Sequence, residues 1–441
     1  MNTPTPPLKT LVIAGGGFAG TTLARALEAR LPAGWQLVLL SEESYTTFNP
    51  MLAEVVGAAV FPEHVIAPIR EMLASTQFIM GRLERVDHAG KTLSCTTLAG
   101  PLELRFDHLV LAFGQRANLN IIPGLAEHAL PLKLVGDAMH IRNRLLQRLA
   151  HIELCHNKAQ RRSLGHFVVI GGGFSGVEVA GAVVDFLRSA HRCYRRVKAH
   201  ELRVTLLHDG ERLLPELPAA LGVAAAKSLG ERGVDVRLGA KAASVDACGV
   251  DLACGERIPS ATVVCTIGAR SNPLVETLGV ETLRGRIVTD PDGQVPNRPG
   301  LWALGDCAAT LNLADGKPCP PTAQFAVAQA RQLARNLLRH LAGQPTRPFS
   351  HSSRGMMATT GHHRGVAELL GVRLTGLPAW LAWRAYYLMR MPTLGRKVRI
   401  WVEWTWSLFF AADVTHLRFT RTGDVDPPRQ PRIAANDPQH L

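Results

Sequence analysis

Leu11-Val12-Ile13-Ala14-Gly15-Gly16-Gly17-Phe18-Ala19-Gly20 and, further along, Phe167-Val168-Val169-Ile170-Gly171-Gly172-Gly173-Phe174-Ser175-Gly176 are two copies of one pattern. Each has an apolar run that reads as a strand, a run of glycines, and the opening of a helix. The first glycine (Gly15, Gly171) permits a tight turn, and the second (Gly17, Gly173) lets backbone N–H groups approach a pyrophosphate. The last (Gly20, Gly176) lets the helix pack closely on the strand. Phe18 and Ala19 in one copy, and Phe174 and Ser175 in the other, begin the helix whose N-terminus faces the phosphates. One such motif is weak evidence, because glycine-rich turns are common. Two copies in strand-turn-helix context predict two dinucleotides, most economically a flavin and a nicotinamide.

Outward from the first copy, Phe18 to Arg30 reads as a helix and Gln36 to Leu40 as a second strand, closing a βαβ unit near Ser41. An acid about 20 positions beyond the glycines can accept hydrogen bonds from a ribose diol, and Glu42 is the candidate. The competing reading of Glu42 is a solvated loop glutamate. Asp107 to Gly114 is another buried-strand pattern, carrying Ala112 and ending on Gly114, and Ala138 to Ile152 reads as a helix. The polar, basic stretch 157–165 marks a junction, after which His166 to Leu207 forms a second βαβ unit. Beyond a turn-rich passage, Leu301 to Ala309 reads as a strand ending at Gly305-Asp306, and Pro320-Pro321-Thr322 introduces a long helix. The first unit still lacks its later strands, so this segment is expected to return to it. The expected fold is α/β: two Rossmann-like dinucleotide-binding domains, the second inserted in the first, plus a C-terminal amphipathic helical membrane-anchoring region. The divisions are 1–155 and 285–345 for the flavin domain, 156–284 for the nicotinamide domain and 346–441 for the C-terminal region.

On that frame, Asp306 at a strand end can bond ribityl hydroxyls, and the helix after Thr322-Ala323-Gln324 aims its N-terminus at the flavin ring. Its positive end stabilises negative charge on the reduced ring. A plain N-cap or turn aspartate remains the alternative for Asp306. Glu178 follows Gly176 among Val177, Val179 and Ala180, so it either points into an interdomain cleft as a polar contact to nicotinamide or acceptor, or is an ordinary solvated helix glutamate. Trp380, Trp383, Tyr387 and Met391 recur on one helical face, followed by Trp401, Trp404, Trp406, Phe409 and Phe410 with interleaved arginines. This texture suits the headgroup layer of a membrane, with an aromatic core helix or a dimer interface as the alternative.

The net charge of +13 favours an anionic partner without choosing among dinucleotide, membrane and nucleic acid. The eight cysteines are scattered with no CxxC pair, which points to reduced, buried thiols. No metal site is read from the sequence. Met1 to Lys9 lacks the pattern of a secretory signal, and no window offers the roughly 18 uncharged apolar residues of a spanning helix.

Together these features resemble the type II NADH:quinone oxidoreductases, from about Leu11 to Phe419. The matching stretches include SYTTFNPML (44–52), APIR (67–70), IPG with ALPLK and DA (122–138), GGGFSGVEVAG (171–181), GDCA (305–308), TAQFAVAQ (322–329) and AWLAW (379–383). The resemblance implies FAD held by Gly15, Gly17, Gly20, Asp306 and the 322–324 turn, and NADH (or NADPH) held by Gly171 to Gly176. Gly268 and Gly305 are further cofactor-site candidates. The implied reaction passes hydride from nicotinamide to flavin and electrons to a membrane quinone, without proton pumping, with Glu178, Gln324 and Gln329 as the matching polar positions. The expected partners are that quinone, a lipid surface met through the C-terminal helices and a second copy in a homodimer, with the protein peripheral on the cytoplasmic face of the inner (plasma) membrane. Nucleic acid is not expected.

The chain departs from the family at several places. Ser41 stands where members often have an acid, and His208 where NADH-preferring members have glutamate, which opens the way to NADPH although Asp209 adjoins it. Ala328 replaces a glutamine, Phe113 a threonine and Ile267 an alanine. Two other readings remain at this stage. One is a sulfide:quinone-type oxidoreductase, for which Cys155 and Cys319 are the nearest candidates, and the other is a non-catalytic flavin redox sensor.

Overall fold

The computed structural model describes residues 8–353 and 355–417. Its largest sheet is built on the apolar run before the first glycine turn. Lys9–Ala14 pairs in parallel with Trp35–Ser41 on one side and His108–Leu111 on the other, and Leu301–Ala303 lies beyond His108–Leu111. A strand from beyond the second glycine unit therefore sits in the sheet that the first strand began. At the other edge the long strand Gln77–Asp87 runs parallel to Trp35–Ser41 and then pairs antiparallel with Thr92–Thr97, which carries on to Gly100–Arg105.

The parallel strands are buried on both faces, as continuous apolar runs require. Leu11, Ile13, Leu37 and Leu39 face the helices Phe18–Leu27 and Ala323–Leu341, packing with Leu23, Leu27, Leu333 and Leu337. Val12, Val38 and Leu40 alternate to the other face. The predicted helix to Arg30 ends at Leu27, and the predicted long helix begins at Ala323, where the Phe325 N–H donates to the Thr322 hydroxyl.

A second, five-stranded parallel sheet repeats the plan: Ala129–Pro131, Thr262–Cys265, His166–Ile170, Arg203–Leu207 and Val234–Arg237. The polar stretch read as a junction contains a short helix, Lys158–Leu164, with the Asn157 side chain accepting from the N–H groups of Ala159 and Gln160. The second sheet already draws an edge strand from Ala129–Pro131, ahead of that stretch. Between the two sheets runs a ribbon in which Gln115–Ala117 pairs antiparallel with Ala269–Ser271.

A three-stranded sheet, Gly355–Thr359, Gly365–Leu369 and Val372–Thr375, precedes the helices Leu377–Arg390 and Leu394–Trp406. Here the aromatic stripe read from the sequence as suited to lipid turns inward. Trp380, Trp383 and Met391 are buried and Tyr387 is half-buried; Trp383, Tyr387 and Met391 pack with the helix Phe174–Ala190 and residues 48–56, and Trp380 lies against His362, His363 and Arg384. Spacing shows which side chains share a face but not which way that face looks, and here the core claims it. The opposite row is exposed: Leu377, Leu381 and Met389 on the first helix, then Leu394, Val398, Trp401 and Val402 on the second. Among the described residues no helix is long and apolar enough to cross a membrane.

Candidate functional site

The two glycine turns are built alike. Gly15 and Gly171 have φ of +127° and +119°, where a side chain would be strained. A Cβ on Gly20 would collide with the carbonyl oxygen of Gly15, and one on Gly176 with that of Gly171, so each helix lies against its own strand end. In contrast, a Cβ on Gly17 or Gly173 would meet nothing within 4 Å. These two residues are the N-caps of their helices and supply no side-chain hydrogen bond. First-turn N–H groups are thereby left for an incoming anion, with the positive end of the helix dipole behind them.

Both turns open into one cleft of about 1910 Å³. That is about twice the upper end of ordinary small-molecule pockets, a size suited to two extended ligands rather than one. Gly15, Gly17, Phe18, Ala19, Glu42, Ala112 and Gly114 line it from the first unit, and Gly173, Phe174, Ser175, Gly176 and Glu178 from the second. Asp306, Thr322, Ala323 and Gln324 line it from the returning segment. Asp306 makes no hydrogen bond through its carboxylate among the described residues. Burial raises its pKa above the usual carboxylate range, with the charges of Lys133 and Arg286 pulling it back. A partly buried acid that receives no hydrogen bond among the described residues, beside the N-terminus of Ala323–Leu341, suits a ligand that brings hydroxyl donors. The donor set, the open glycine caps and the room available all fit FAD and a nicotinamide dinucleotide.

Glu178 is 7% exposed and stands where the second glycine helix meets the C-terminal layer. Its Oε1 accepts from Trp383 Nε1 at 3.0 Å and from the Thr359 N–H at 3.2 Å. Burial pushes its pKa up to about 8, against the pull of these two donors, so the group holds a proton at neutral pH. Tyr387 packs edge-on against Trp383, with ring centroids 4.7 Å apart, and burial raises its pKa as well. Behind them Glu54 Oε2 accepts from Trp404 Nε1 at 3.1 Å and lies 3.9 Å from Arg384 Nη2. The Arg384 guanidinium sits between the Trp380 and Trp404 rings, 3.8 and 4.7 Å from their centroids.

Of the other candidates, Gln329, Gly268 and His208 stand apart from the cleft lining, whereas Ser41, Glu42 and Gln324 belong to it. Gln329 is buried, its Oε1 accepting from the Gly305 N–H at 2.6 Å, so it braces the turn that presents Asp306. Gly268, with φ of +82°, follows the Thr262–Cys265 strand and accepts through its carbonyl from the Asn118 N–H at 2.9 Å. His208 lies under the second glycine turn, where its Nδ1 accepts from the Gly172 N–H at 3.3 Å and is 3.3 Å from Asp209 Oδ1. Ser41 holds the matching place under the first turn, facing Gly16. Glu42 lies at the lip of the cleft, paired with Arg116. Gln324 accepts from the Ser353 hydroxyl at 3.3 Å.

Reading for motifs also passed over two participants. Thr46 donates from its hydroxyl to the Gly16 carbonyl at 2.6 Å and fixes the first turn. Lys133 lines the cleft and faces Asp306. Both lie inside the matching stretches 44–52 and 122–138, which was the available signal. The Glu54–Arg384 pair offered none, because its members are far apart in the chain. Cys155 and Cys319 are buried and are not part of the cleft lining.

Residues 9–330 match the family described as pyridine nucleotide-disulphide oxidoreductase. A type II NADH:quinone oxidoreductase of Mycobacterium tuberculosis is 29% identical over 422 residues, covering 92% of this chain and 89% of its own. An internal alternative NAD(P)H-ubiquinone oxidoreductase of Solanum tuberosum mitochondria is 28% identical over 441 residues, with 92% and 88% covered. Among solved structures, NDH2 from Plasmodium falciparum in complex with NADH superposes with a TM-score of 0.85 at 17% identity, covering 92% of this chain and 99% of that one.

Proposed function

From the premise that this chain belongs to the pyridine nucleotide-disulphide oxidoreductase family, we propose how its cleft works as the site of a type II NADH:quinone oxidoreductase. The protein is a flavoenzyme that takes hydride from NADH onto FAD and passes the electrons to a quinone, without pumping protons. The observation that carries this reading is the convergence of two uncapped, glycine-led helix N-termini on one cleft, with Asp306 and Glu178 in its walls. The test is turnover by purified protein loaded with FAD and given NADH and a short-chain quinone. No turnover with either NADH or NADPH would remove the assignment.

In this proposal the N–H groups after Gly17 hold the FAD pyrophosphate, Asp306 accepts from ribityl hydroxyls, and the Thr322–Gln324 turn directs its helix at the flavin ring. When bound, FAD supplies the hydride acceptor and electron donor. The N–H groups after Gly173 would hold the nicotinamide dinucleotide, and His208 would underlie its ribose end; His208 itself brings no negative charge against a 2′-phosphate, which opens the way to NADPH, although the Asp209 carboxylate adjoins it. Gln329 acts through Gly305 and is a positioning residue. Glu178 Oε2 makes no hydrogen bond among the described residues, and with its pKa pushed up to about 8 by burial this side chain would meet bound ligands as a neutral acid. Hydride transfer depends on orientation more than on proton removal, so this acid positions and hydrogen-bonds rather than serving as an obligatory base.

The proposal extends to a homodimer lying on the cytoplasmic face of the plasma membrane, with the exposed apolar rows of the two C-terminal helices in the headgroup layer. Arg390, Arg399 and Lys397 flank those rows. Light scattering of the holoenzyme tests the dimer, and protease access in inverted vesicles tests the face. Sulfide chemistry is not favoured, because it needs thiols open to the flavin and both candidate cysteines are buried and line no part of the cleft. A mere sensor would not be reoxidised rapidly by quinone.

A further inference from the structure

A surface outside the cleft carries an unusual charge arrangement. The segments 158–162 (KAQRR) and 191–200 (HRCYRRVKAH) contain lysines and arginines and no acid. The fold holds them side by side through Arg161. Its Nε and Nη2 bond Glu201 at 2.7 Å each, Nη2 also donates to the Arg196 carbonyl at 2.7 Å, and Nη1 donates to the Cys155 carbonyl at 2.9 Å. Around this staple Lys158, Arg162, Arg192, Arg195, Arg196 and Lys198 are exposed, and none is ion-paired among the described residues. Arg196 Nη2 lies 3.1 Å from His156 Nδ1. Some exposed arginines elsewhere face carboxylates, as Arg82 does Glu84 and Arg257 does Asp246 and Asp251, and others such as Arg270, Arg284 and Arg331 stand singly; here the unpaired cations are gathered in two short segments. Unrelieved like charge is costly unless an external anion relieves it.

The patch lies on the same side of the fold as the exposed apolar end of the C-terminal layer, linked to it through one hydrogen bond. Phe409 is 76% exposed, and three residues on the Ala412 N–H donates to the Ser189 hydroxyl at 3.1 Å. Ser189 lies in the last turn of the helix Phe174–Ala190, so chain length alone puts Phe409 within about 25 Å of Arg192. An apolar end near a dense cationic patch, whose acids Glu201 and Glu153 are taken up by Arg161 and by the Lys198 and Arg196 N–H groups, is the complement of a bilayer surface bearing anionic headgroups. Tyr194, the tyrosine of the loop, is half-buried, so the patch presents no exposed Phe, Tyr or Trp ring for bases to stack on.

We infer that the basic patch formed by 158–162 and 191–198 binds the headgroups of anionic membrane lipids. It sets which bilayers the protein prefers and turns the second dinucleotide unit toward them. This inference rests on the membrane reading above but assigns a different surface from the apolar rows. Its test is co-sedimentation of the FAD-loaded full chain with vesicles of phosphatidylcholine alone and of phosphatidylcholine mixed with an equal amount of phosphatidylglycerol. Arg192→Gln/Arg195→Gln/Arg196→Gln should bind neutral vesicles like the parent and lose about a hundredfold of the added affinity for the anionic ones. High salt should remove the same increment from the parent. The flavin spectrum and turnover with NADH and a short-chain quinone should stay unchanged, which shows that the variant is folded. Equal binding of parent and triple variant to anionic vesicles would overturn the inference and leave the membrane reading intact. Failure of the parent to bind either vesicle would overturn both. Loss of affinity for a DNA duplex with vesicle binding unchanged would assign the patch to nucleic acid instead.

Discussion

Asp306 and His208 show how one side chain commits a cleft to a ligand. The Asp306 carboxylate is partly buried without a hydrogen-bond donor, and burial raises its pKa, so the protein without flavin bears a desolvation cost that ribityl hydroxyls would offset. Asp306→Ala should therefore weaken FAD binding about ten- to a hundredfold, read by titrating flavin into stripped protein, while the flavin-free protein melts no lower than the parent. A variant that kept its flavin through gel filtration and dilution would assign Asp306 to the turn alone. His208 takes the Gly172 N–H on Nδ1, beneath the second glycine turn. A glutamate there keeps an acceptor for that N–H and adds charge facing any 2′-phosphate. For His208→Glu, NADPH kcat/KM should fall at least about tenfold relative to that for NADH. An unchanged ratio would put the 2′ contact elsewhere. The sequence made His208 conspicuous, whereas the matching role of Ser41 under Gly16 emerged only from the packing of the two turns.

At the scale of elements, each glycine helix is fixed to its strand by the absence of a methyl group. Gly176→Ala would drive a Cβ into the Gly171 carbonyl, so the helix must lift; a loss of about 1–3 kcal/mol in stability is expected from denaturant titration. Gly173→Ala meets open space, so it should spare the fold and hinder nucleotide binding instead. This contrast was legible from spacing alone, because a strand-turn-helix dictates which glycine touches backbone and which faces a ligand. The setting of Glu178 was only half legible. Its apolar neighbours announced burial, but its partners Thr359 and Trp383 come from elements far along the chain. Its raised pKa means that the folded protein holds a proton that the unfolded chain releases between an ordinary value of 4.5 and about 8. Stability from this group is therefore present at low pH and lost as pH rises through that window. Glu178→Gln removes the titration while keeping an acceptor for Trp383. The Tm difference between variant and parent should grow in the variant's favour by about 2–4 °C or more from pH 5 to pH 9. A constant difference would show that Glu178 is charged throughout.

Across the whole molecule, the sheet-forming parts could be read from apolar runs, but the orientation of the C-terminal helices could not. Heptad-like spacing groups Trp380, Trp383, Tyr387 and Met391 without saying that Glu178 and the Glu54–Arg384 pair wait beneath them. Those contacts turn the richest aromatic face into core and leave the plainer row of Leu394, Val398 and Trp401 outside. The two faces consequently have separable duties. Trp383→Ala opens a buried space beside Glu178 and should cost about 3–5 kcal/mol of stability, with any loss of activity following the fold. Val398→Ser/Trp401→Ser/Phe409→Ser removes only exposed apolar surface, so the flavin, the melting temperature and turnover with a water-soluble short-chain quinone should match the parent. A long-chain quinone confined to vesicles must be met at the bilayer, and there the same variant should show a KM raised at least about tenfold with kcat little changed. If both quinones were reduced as by the parent, the outer row would have no part in reaching lipid. A dimer interface would then be its remaining use, and light scattering would show the variant as a monomer.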